Sequence, residues 1–434
     1  MNERDTLKIN TNGNLEICGI ETKDLAKRFG TPLYVFDKTF INKMCEVYSK
    51  TLKEEYGEGR ILYASKAFSC KEIYRIINNT DLGIDVVSGG ELYTARSVDF
   101  PADKIYFHGN NKTESEIELA LREKVGTIVI DSYSEADTLQ NLCENKGINQ
   151  NVLIRINPGV EAHTHHFIQT ANVDSKFGFS ISNGEALKIV EYVSKKKNLN
   201  LLGLHCHIGS QIFEKKSFVL AIEKMTDFYK EIKNTLNIEF EVLNLGGGFG
   251  IWYSQGDSMQ KYEDYADYVR VICKSLTKAI TEKGLKKPFL ILEPGRSIVG
   301  EAGITLYKVG AVKEIPNIKT YLAIDGGMFE NPRFALYQAK YTVIPCENAN
   351  LSYTEKYSVS GKCCESGDII CEDIYLPKIK KDDYIAVLST GAYNYSMASN
   401  YNRNTVPAVV MVENGDAKVI VKAQSYEDIV KNDI

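Results

Sequence analysis

The sequence predicts an α/β protein that combines a closed barrel of eight parallel strands with a C-terminal all-β domain. Three observations predict this class: eight short apolar runs, helical patterns between several of them, and a change to strand-like segments after Gly300. Strands that alternate with helices are typical of parallel sheets, and eight such units favour closure into a (β/α)8, TIM-type barrel.

The eight apolar runs are rich in Ile, Val and Leu, as expected for strands that are buried on both faces. The runs are Ile61–Lys66, Leu82–Ser88, Ile105–Gly109, Thr127–Asp131, Val152–Asn157, Leu201–His207, Val242–Gly247 and Phe289–Glu293. Helical patterns occur between them at Lys112–Glu123 and Ser134–Lys146. From Phe218 to Ile232, apolar residues also recur at three- and four-residue steps, which indicates a helix.

The pattern after Gly300 is that of an all-β domain. Its predicted strands are Ile304–Val312, Thr320–Ile324, Tyr341–Pro345, Tyr384–Ser389, Val409–Val412 and Lys418–Val421. The last two flank Asn414-Gly415, a strong hairpin signal, and a similar hairpin around Asn12-Gly13 joins Leu7–Ile9 to Leu15–Ile17. We therefore expect a barrel domain at 38–297, inserted into a β domain formed by 1–37 and 298–434.

Length, charge and cysteine content limit the class of protein. A chain of 434 residues is about the size of two domains, and a net charge of −5 gives no general attraction to nucleic acid or to anionic membranes. No apolar run approaches the roughly 18 residues of a membrane span. Met1–Lys8 is charged and does not resemble a signal peptide, and the ten cysteines are scattered. These features predict a cytoplasmic protein with reduced thiols.

Polar and glycine-rich clusters follow most of the predicted barrel strands. In chain order they are Lys66, Asp85 with Glu91, His108, Arg155 with Asn157, His207 with Ser210, Gly246-Gly247-Gly248, and Glu293 with Arg296. The carboxyl ends of the strands form the face on which barrels of this kind build their active sites. The sequence therefore predicts an enzyme site at this face.

Three of these clusters each allow a structural and a chemical interpretation. Lys66 is either a solvated strand end or a lysine that forms a Schiff base. Gly246–Gly250 does not have the dinucleotide-binding spacing, so it is either a tight turn or a loop whose N–H groups bind one phosphate. Glu293 either pairs locally with Arg296 or faces the ring nitrogen of a pyridine cofactor, which it would keep protonated.

The histidines and the paired cysteines are weaker signals. His163, His165, His166 and the pair His205/His207 match no common zinc spacing, so we expect no metal. Alternation along a strand would place His205 and His207 on one side, where one could face a flat cofactor. Cys363 and Cys364 precede Glu365 and Asp368 in a turn-rich stretch, where a thiol is a modest signal of chemistry.

Taken together, these segments resemble the fold III family of pyridoxal-phosphate-dependent decarboxylases over nearly the whole chain, and within it the decarboxylases of diaminopimelate. Segments shared across the family are Tyr63–Lys66, Asp85–Glu91, Asn157–Val160, Ser175–Phe179, His207–Ser210, Gly246–Gly250 and Glu293–Arg296. Segments that indicate diaminopimelate are Asn331–Tyr337, Gly361–Asp368 and Gly391–Met397. One departure is Gln169-Thr170-Ala171, where the family has Thr-Gly; it concerns a nearby loop.

The resemblance implies a pyridoxal 5'-phosphate site at the barrel mouth. Lys66 binds the cofactor as a Schiff base, His207 stacks on the ring, and Glu293 binds the pyridine nitrogen. Other implied cofactor contacts are Asp85, Ser210, Gly246, Gly247, Gly248, Gly295, Arg296 and Tyr393.

The resemblance also implies the reaction: decarboxylation of meso-2,6-diaminopimelate to L-lysine and carbon dioxide, the last step of lysine biosynthesis. Cys364 donates a proton after carbon dioxide leaves. The distal end of the substrate contacts Arg296, Arg333, Tyr337, Glu365 and Tyr393. Members of the family are homodimers with shared active sites, so Cys364 and Glu365 are expected to serve the partner's barrel.

Two alternatives remain open at this point. A decarboxylase of ornithine, lysine or arginine would keep the cofactor residues but lose the arginines that bind a distal carboxylate. A catalytically silent binding protein of the same fold would have lost Lys66 or Cys364, and the sequence has both.

Overall fold

The structure is a computed structural model that describes residues 6–160, 175–253 and 261–434. These residues form two compact units. The barrel unit contains residues 44–160, 175–250 and 261–295, and the β unit contains residues 6–43, 251–253 and 296–434. No helix in the described ranges is both long and apolar enough to cross a membrane. All ten cysteines lie in these ranges as free thiols.

The N-terminal segment starts with the predicted hairpin. Its elements are β1 (Leu7–Ile9), β2 (Leu15–Ile17), β3 (Ile20–Glu21), α1 (Thr22–Phe29), β4 (Leu33–Asp37) and α2 (Lys38–Glu55). Strand β1 pairs antiparallel with β2, with Leu7 opposite Ile17. Strand β4 is buried at all five positions because both of its edges are paired with strands from the C-terminal half of the chain.

The barrel strands follow the predicted runs, with ends that differ by at most three residues. They are β5 (Gly59–Ala64), β6 (Gly83–Val86), β7 (Ile105–Phe107), β8 (Thr127–Ile130), β9 (Gln150–Asn157), β11 (Leu199–His205), β12 (Val242–Asn244) and β13 (Phe289–Leu292), with a short β10 (Phe179–Ser180) beside β9. All pairings are parallel, and β13 pairs with β5 through Leu290 and Gly59, which closes the sheet. The predicted eight-stranded barrel is confirmed.

Helices connect the barrel strands. They are α3 (Lys71–Asn78), α4 (Gly89–Arg96), α5 (Glu114–Arg122), α6 (Tyr133–Lys146), α7 (Glu185–Ser194), α8 (Lys215–Leu236) and α9 (Tyr262–Lys283). Helix α5 begins where the hydroxyl of Thr113 accepts from the N–H of Glu116 and the Glu116 carboxylate accepts from the N–H of Thr113. Helix α6 ends at Gly147, which has a left-handed conformation suited to glycine. The three predicted helical patterns all lie on helices.

The β unit contains the remaining elements. They are α10 (Arg296–Val299), β14 (Gly303–Ile315), β15 (Lys319–Ile324), α11 (Arg333–Tyr337), β16 (Val343–Pro345), β17 (Glu355–Ser360), β18 (Ile369–Leu376), β19 (Tyr384–Val387), β20 (Ala408–Glu413), β21 (Asp416–Val421) and α12 (Tyr426–Val430). Strand β4 lies between β14 and β20, so the prediction that the N-terminal segment joins this sheet is confirmed. Asn414 and Gly415 have φ values of 49° and 82°, as a type I′ hairpin turn requires.

Each unit has its own apolar core. In the barrel unit, one cluster of buried side chains contains Leu62, Tyr106, Val129, Leu153, Val242 and Ile291. In the β unit, Leu15, Leu33, Val35 and Leu306 are fully buried within one cluster. A second β cluster surrounds Tyr307 and Val309. The strands of each unit are thus fixed by a packed apolar core. The residues that follow the barrel strands are not needed for this packing and can form the site.

Candidate active site

Lys66 lies just beyond β5, in a short helical turn formed by Ser65–Ala67. Its neighbours Ser65 and Ala67 are fully buried, whereas the Lys66 side chain is exposed. This turn fixes the backbone and leaves the amine accessible. Near it, Asp85 at the end of β6 is buried, and its Oδ1 has no hydrogen-bond partner in the described ranges. Burial, together with the charge of Glu293, raises the pKa of Asp85 to about 6.

Glu293 follows β13 and is only 7% exposed, yet three side chains lie against its carboxylate, and two of them, His205 and Asn244, form hydrogen bonds with it. His108 Nε2 lies 2.9 Å from Oε1, His205 Nε2 lies 3.2 Å from Oε2, and Asn244 Nδ2 lies 2.7 Å from Oε1. Burial alone would raise the pKa of Glu293, but the contacts with His108 and His205 keep it well below its ordinary value. Glu293 is therefore ionised at neutral pH.

The charge state of His205 shows how this ring stabilises the ionised carboxylate of Glu293. Burial lowers the pKa of His205 to about 4, so the ring is neutral at pH 7 and contributes a hydrogen bond rather than a positive charge. Asn244 must present its NH2 group to Glu293, because its Oδ1 accepts from the N–H of Gly246 at 2.9 Å. An ionised carboxylate has about four acceptor positions, so the hydrogen bonds from His205 and Asn244 leave room for a further N–H group.

The same three groups could also be considered as a metal site. The ligand atoms of His108, His205 and Glu293 lie within 4.8 Å of one another. Asn244 approaches the same carboxylate with an NH2 group, which donates hydrogen bonds and does not bind cations. The arrangement therefore favours a hydrogen-bonded carboxylate that faces an N–H donor.

The glycine run has a structural role in the barrel and also fixes two of the site's side chains. A Cβ atom on Gly247 would lie 2.0 Å from the backbone oxygen of Glu293, and one on Gly248 would lie 2.3 Å from that of Gly209. The N–H of Gly246 bonds to Asn244, and the N–H of Gly247 bonds to His207 Nδ1 at 3.3 Å. Among the described residues, the N–H of Gly248 has no such partner.

His207 and His205 have different surroundings. The strand ends at His205, so strand alternation does not extend to His207, and its place on the same side as His205 stays a prediction. Burial, with the charge of Lys66, lowers the pKa of His207 well below its ordinary value. Its Nδ1 accepts from Gly247, so the neutral ring carries its proton on Nε2.

The predicted substrate residues of the β unit form a second group. Arg333 begins α11, is 6% exposed, and has its guanidinium 5.9 Å from the ring centroid of Tyr337. The Arg296 guanidinium lies 4.6 Å from the ring centroid of Tyr393. In the described ranges, Arg333 donates to the hydroxyls of Tyr253 and Tyr341 and has no carboxylate partner. Its buried Nε has no hydrogen-bond partner there either.

Cys364 and Glu365 lie in a turn that is organised by Asp368. The Asp368 carboxylate accepts from the N–H groups of Cys363 and Met328, each at 2.6 Å. Burial and the Asp368 charge raise the pKa of Cys363 to about 12, so this thiol stays protonated. Cys364 and Glu365 are exposed, and the N–H of Cys364 donates to Asn402 at 2.8 Å. Of the two adjacent thiols, only Cys364 is presented at the surface.

Some of the residues considered above are not described, and others were not predicted. His163, His165, His166 and the departure at 169–171 lie outside the described residues. His108, His205 and Asn244 were not predicted as partners of Glu293, because they lie on three different strands. Tyr253, which contacts two predicted arginines, was also not predicted; an aromatic residue three positions after a glycine run is the only signal the sequence offers.

Comparison with known proteins agrees with this geometry. Residues 41–300 match the family model described as "Pyridoxal-dependent decarboxylase, pyridoxal binding domain". Two diaminopimelate decarboxylases are each 46% identical to this chain. The one from Bacillus subtilis (strain 168) aligns over 99% of this chain and 97% of its own length, and the one from Bacillus methanolicus over 96% of each.

A solved structure agrees over the same length. Diaminopimelate decarboxylase from M. jannaschii in complex with L-lysine superimposes with a TM-score of 0.90 at 36% identity, covering 99% of this chain and 98% of that one. The family model spans more than half of the 434 residues, and the relatives cover nearly all of them. This chain belongs to the pyridoxal-dependent decarboxylase family.

Proposed function

We propose that this protein decarboxylates meso-2,6-diaminopimelate to L-lysine and carbon dioxide with pyridoxal 5'-phosphate, as the last step of lysine biosynthesis. The observation that carries the choice of substrate is the buried Arg333, which has tyrosine neighbours but no carboxylate partner in the described ranges. A buried guanidinium in such a place is suited to an incoming carboxylate. The names of the relatives agree with this substrate. The ten free cysteines support a cytoplasmic location.

The barrel domain, 38–297, would hold the cofactor. Bound pyridoxal phosphate supplies an electron sink for the electron pair released as carbon dioxide leaves. Lys66 offers an exposed primary amine for covalent attachment. The Oδ1 of Asp85, which has no hydrogen-bond partner among residues 6–160, 175–253 and 261–434, is available to a polar group of the ligand. Glu293 is ionised and can accept a further hydrogen bond, which suits a protonated ring nitrogen.

The remaining cofactor contacts would position the ring and its phosphate. His207 is neutral, with its tautomer set by Gly247, so its flat face can stack on an aromatic ring without a positive charge. The N–H of Gly248, which has no partner in the part of the chain that the structure describes, is the donor that the glycine run offers to phosphate. Gly246 and Gly247 instead position Asn244 and His207. Ser210, Gly295, Arg296 and Tyr393 complete the proposed phosphate contacts.

The β domain, 1–37 with 298–434, would bind the distal end of the substrate and supply a proton. Arg296, Arg333, Tyr337 and Tyr393 would contact the distal carboxylate, and Glu365 the distal ammonium. Cys364 would donate the proton of its Sγ to the carbon that loses carbon dioxide. Because Cys364 and Glu365 are exposed in the single chain, we propose that they serve the barrel of a partner subunit in a homodimer.

Replacement of Arg333 by alanine tests the choice of substrate. A site with a buried arginine can discriminate, by as much as about 10⁴-fold in kcat/KM, against a substrate that lacks the carboxylate which would pair with it. We expect the wild-type protein to prefer diaminopimelate over lysine, and Arg333→Ala to lose most of this preference while binding the cofactor normally. The measurement is kcat/KM for both substrates in both proteins, with the absorption of the bound cofactor recorded in parallel.

Two variants control this experiment. Arg333→Lys keeps the charge without the planar fork and should give an intermediate preference. Arg28→Ala removes an exposed arginine of the same β unit and should change nothing. Diaminopimelate would be ruled out as the substrate if the wild-type protein preferred lysine or ornithine. It would also be ruled out if the ratio of kcat/KM for diaminopimelate to that for lysine were unchanged in Arg333→Ala.

Mixing two inactive variants tests the shared site. Lys66→Ala lacks the amine and Cys364→Ala lacks the proton donor, so each homodimer is inactive. If the two residues of one site come from different subunits, equal mixing with full exchange should restore about a quarter of the wild-type activity, because half of the dimers are hybrids with one complete site. Subunit exchange is followed with distinguishable tags. Complete exchange without any recovery of activity would contradict the shared site.

A further inference from the structure

Tyr253 contacts both arginines of the proposed carboxylate site. It follows the glycine run by three residues and belongs to the β unit rather than to the barrel unit. Its hydroxyl oxygen lies 2.6 Å from Arg296 Nη1 and 2.9 Å from Arg333 Nη1. Both arginines are buried, with exposures of 7% and 6%. One phenol oxygen therefore holds two buried guanidinium groups at a fixed separation.

The hydrogen-bond inventory of this hydroxyl leaves its proton available. A phenol has two acceptor lone pairs and one O–H donor, whereas guanidinium groups only donate. The two arginines therefore use both lone pairs of Tyr253, and its proton must point to a third group. No residue in the described ranges accepts this proton. A hydrogen-bond acceptor placed beside Arg333 would therefore accept from the hydroxyl of Tyr253 as well as from the guanidinium N–H groups.

The position of Tyr253 is fixed by other contacts. The hydroxyl of Thr342 donates to its backbone oxygen at 3.0 Å, and its ring meets that of Tyr341 edge to face with centroids 5.4 Å apart. Burial alone would raise the pKa of Tyr253, but the charges of Arg296 and Arg333 lower it below its ordinary value of 10. A more acidic phenol is a stronger hydrogen-bond donor, and a carboxylate is a strong acceptor.

We propose that Tyr253 is a specificity-determining residue. It holds Arg296 and Arg333 together, and its hydroxyl group donates a hydrogen bond to the distal carboxylate of the substrate. This inference rests on the proposed function, because it takes the occupant of the arginine pair to be that carboxylate. The acceptor it predicts is an anionic oxygen; an ammonium group would not fit, because it only donates hydrogen bonds.

The test compares two ligands that differ by one carboxylate. Decarboxylation at one end of diaminopimelate leaves lysine, which keeps the distal carboxylate, whereas 1,5-diaminopentane has none. We expect the wild-type holoenzyme to bind lysine more tightly than 1,5-diaminopentane in calorimetric titrations. Tyr253→Phe should weaken lysine binding about ten- to a hundredfold, the range for a hydrogen bond to a charged group, and leave 1,5-diaminopentane unchanged.

A matched control is Tyr357→Phe, which removes the hydroxyl of a buried tyrosine of the same unit that accepts from the N–H of Ile379. It should leave the affinities for both ligands unchanged. In turnover, Tyr253→Phe should raise the KM for diaminopimelate with a much smaller effect on kcat, because the distal carboxylate is bound equally in the ground state and the transition state.

The outcomes separate this proposal from the proposed function. If the wild-type protein binds the two ligands equally, the arginine pair does not bind the distal carboxylate, and the substrate assignment fails. If the wild-type protein discriminates but Tyr253→Phe binds lysine normally, the role of Tyr253 is wrong and the substrate stands. If Tyr253→Phe lowered the affinity for both ligands equally, the role of Tyr253 would be merely structural, and the proposal would also be overturned.

Discussion

Lys66→Ala should abolish decarboxylation while the protein still binds pyridoxal phosphate. The exposed amine of Lys66 is held on a buried turn beyond β5, and Asp85 lies near it. The variant loses both the covalent attachment and an amine that can carry protons. We therefore expect activity to fall by at least about 10⁴-fold, the upper end of what one positioned proton carrier contributes. Borohydride reduction followed by peptide mapping should find the cofactor on Lys66 in the wild-type protein and on no lysine in the variant.

The matched control for this variant is Lys71→Ala. Lys71 is an exposed lysine at the first position of α3, five residues further along the chain, and its loss should change neither the adduct nor the activity. A reduced cofactor attached to another lysine in the wild-type protein would refute the role of Lys66. Full activity in Lys66→Ala would do the same.

Glu293→Gln should fold and bind the cofactor but decarboxylate about 10²- to 10³-fold more slowly, the usual cost of removing one preorganised electrostatic partner. The amide is neutral and cannot keep a proton on a ring nitrogen. In the wild-type protein this carboxylate is ionised, since His205 and Asn244 form hydrogen bonds with it and His108 Nε2 lies 2.9 Å from its Oε1. The measurements are single-turnover decarboxylation and the pH dependence of the absorption spectrum of the bound cofactor.

Glu293→Asp is the conservative companion of this variant. It keeps the charge but shortens the side chain by one methylene, so it should retain more activity than Glu293→Gln and keep the wild-type pH dependence of the spectrum. Wild-type turnover in Glu293→Gln would instead show that Glu293 serves only to hold the ends of β7, β11 and β12 together.

The barrel could be predicted because its signal is local. A strand buried on both faces is typically a continuous apolar run, and Ile61–Ala64 of β5, Ile128–Ile130 of β8 and the whole of β13 are such runs. Among the strands that were not predicted are β17 and β18, whose sequences EKYSVS and IICEDIYL mix charged and apolar residues. These two strands are partly exposed, so burial does not restrict their composition and the sequence pattern is weak.

The partners of Glu293 could not be predicted from the sequence. His108, His205 and Asn244 are each separated from Glu293 by at least 49 positions, and a lone histidine at the end of a strand is ordinarily a core residue. The closed sheet brings the three strand ends to one place, where His108 and His205 meet at a ring distance of 4.7 Å. The same limit applies to Tyr253, whose role depends on two arginines from other parts of the chain.

The sequence by itself determined the fold class, the family and the identity of the residues that can do chemistry, because periodicity and residue type are local properties of the chain. The tertiary structure alone decided which of them meet and in what charge state. Desolvation makes His205 neutral, whereas the contacts with His108 and His205 keep Glu293 ionised in spite of its burial. The folded chain also brings two buried guanidinium groups to Tyr253, and their charges lower its pKa. Burial and distance are set by residues far apart in the chain, so no segment read alone contains them.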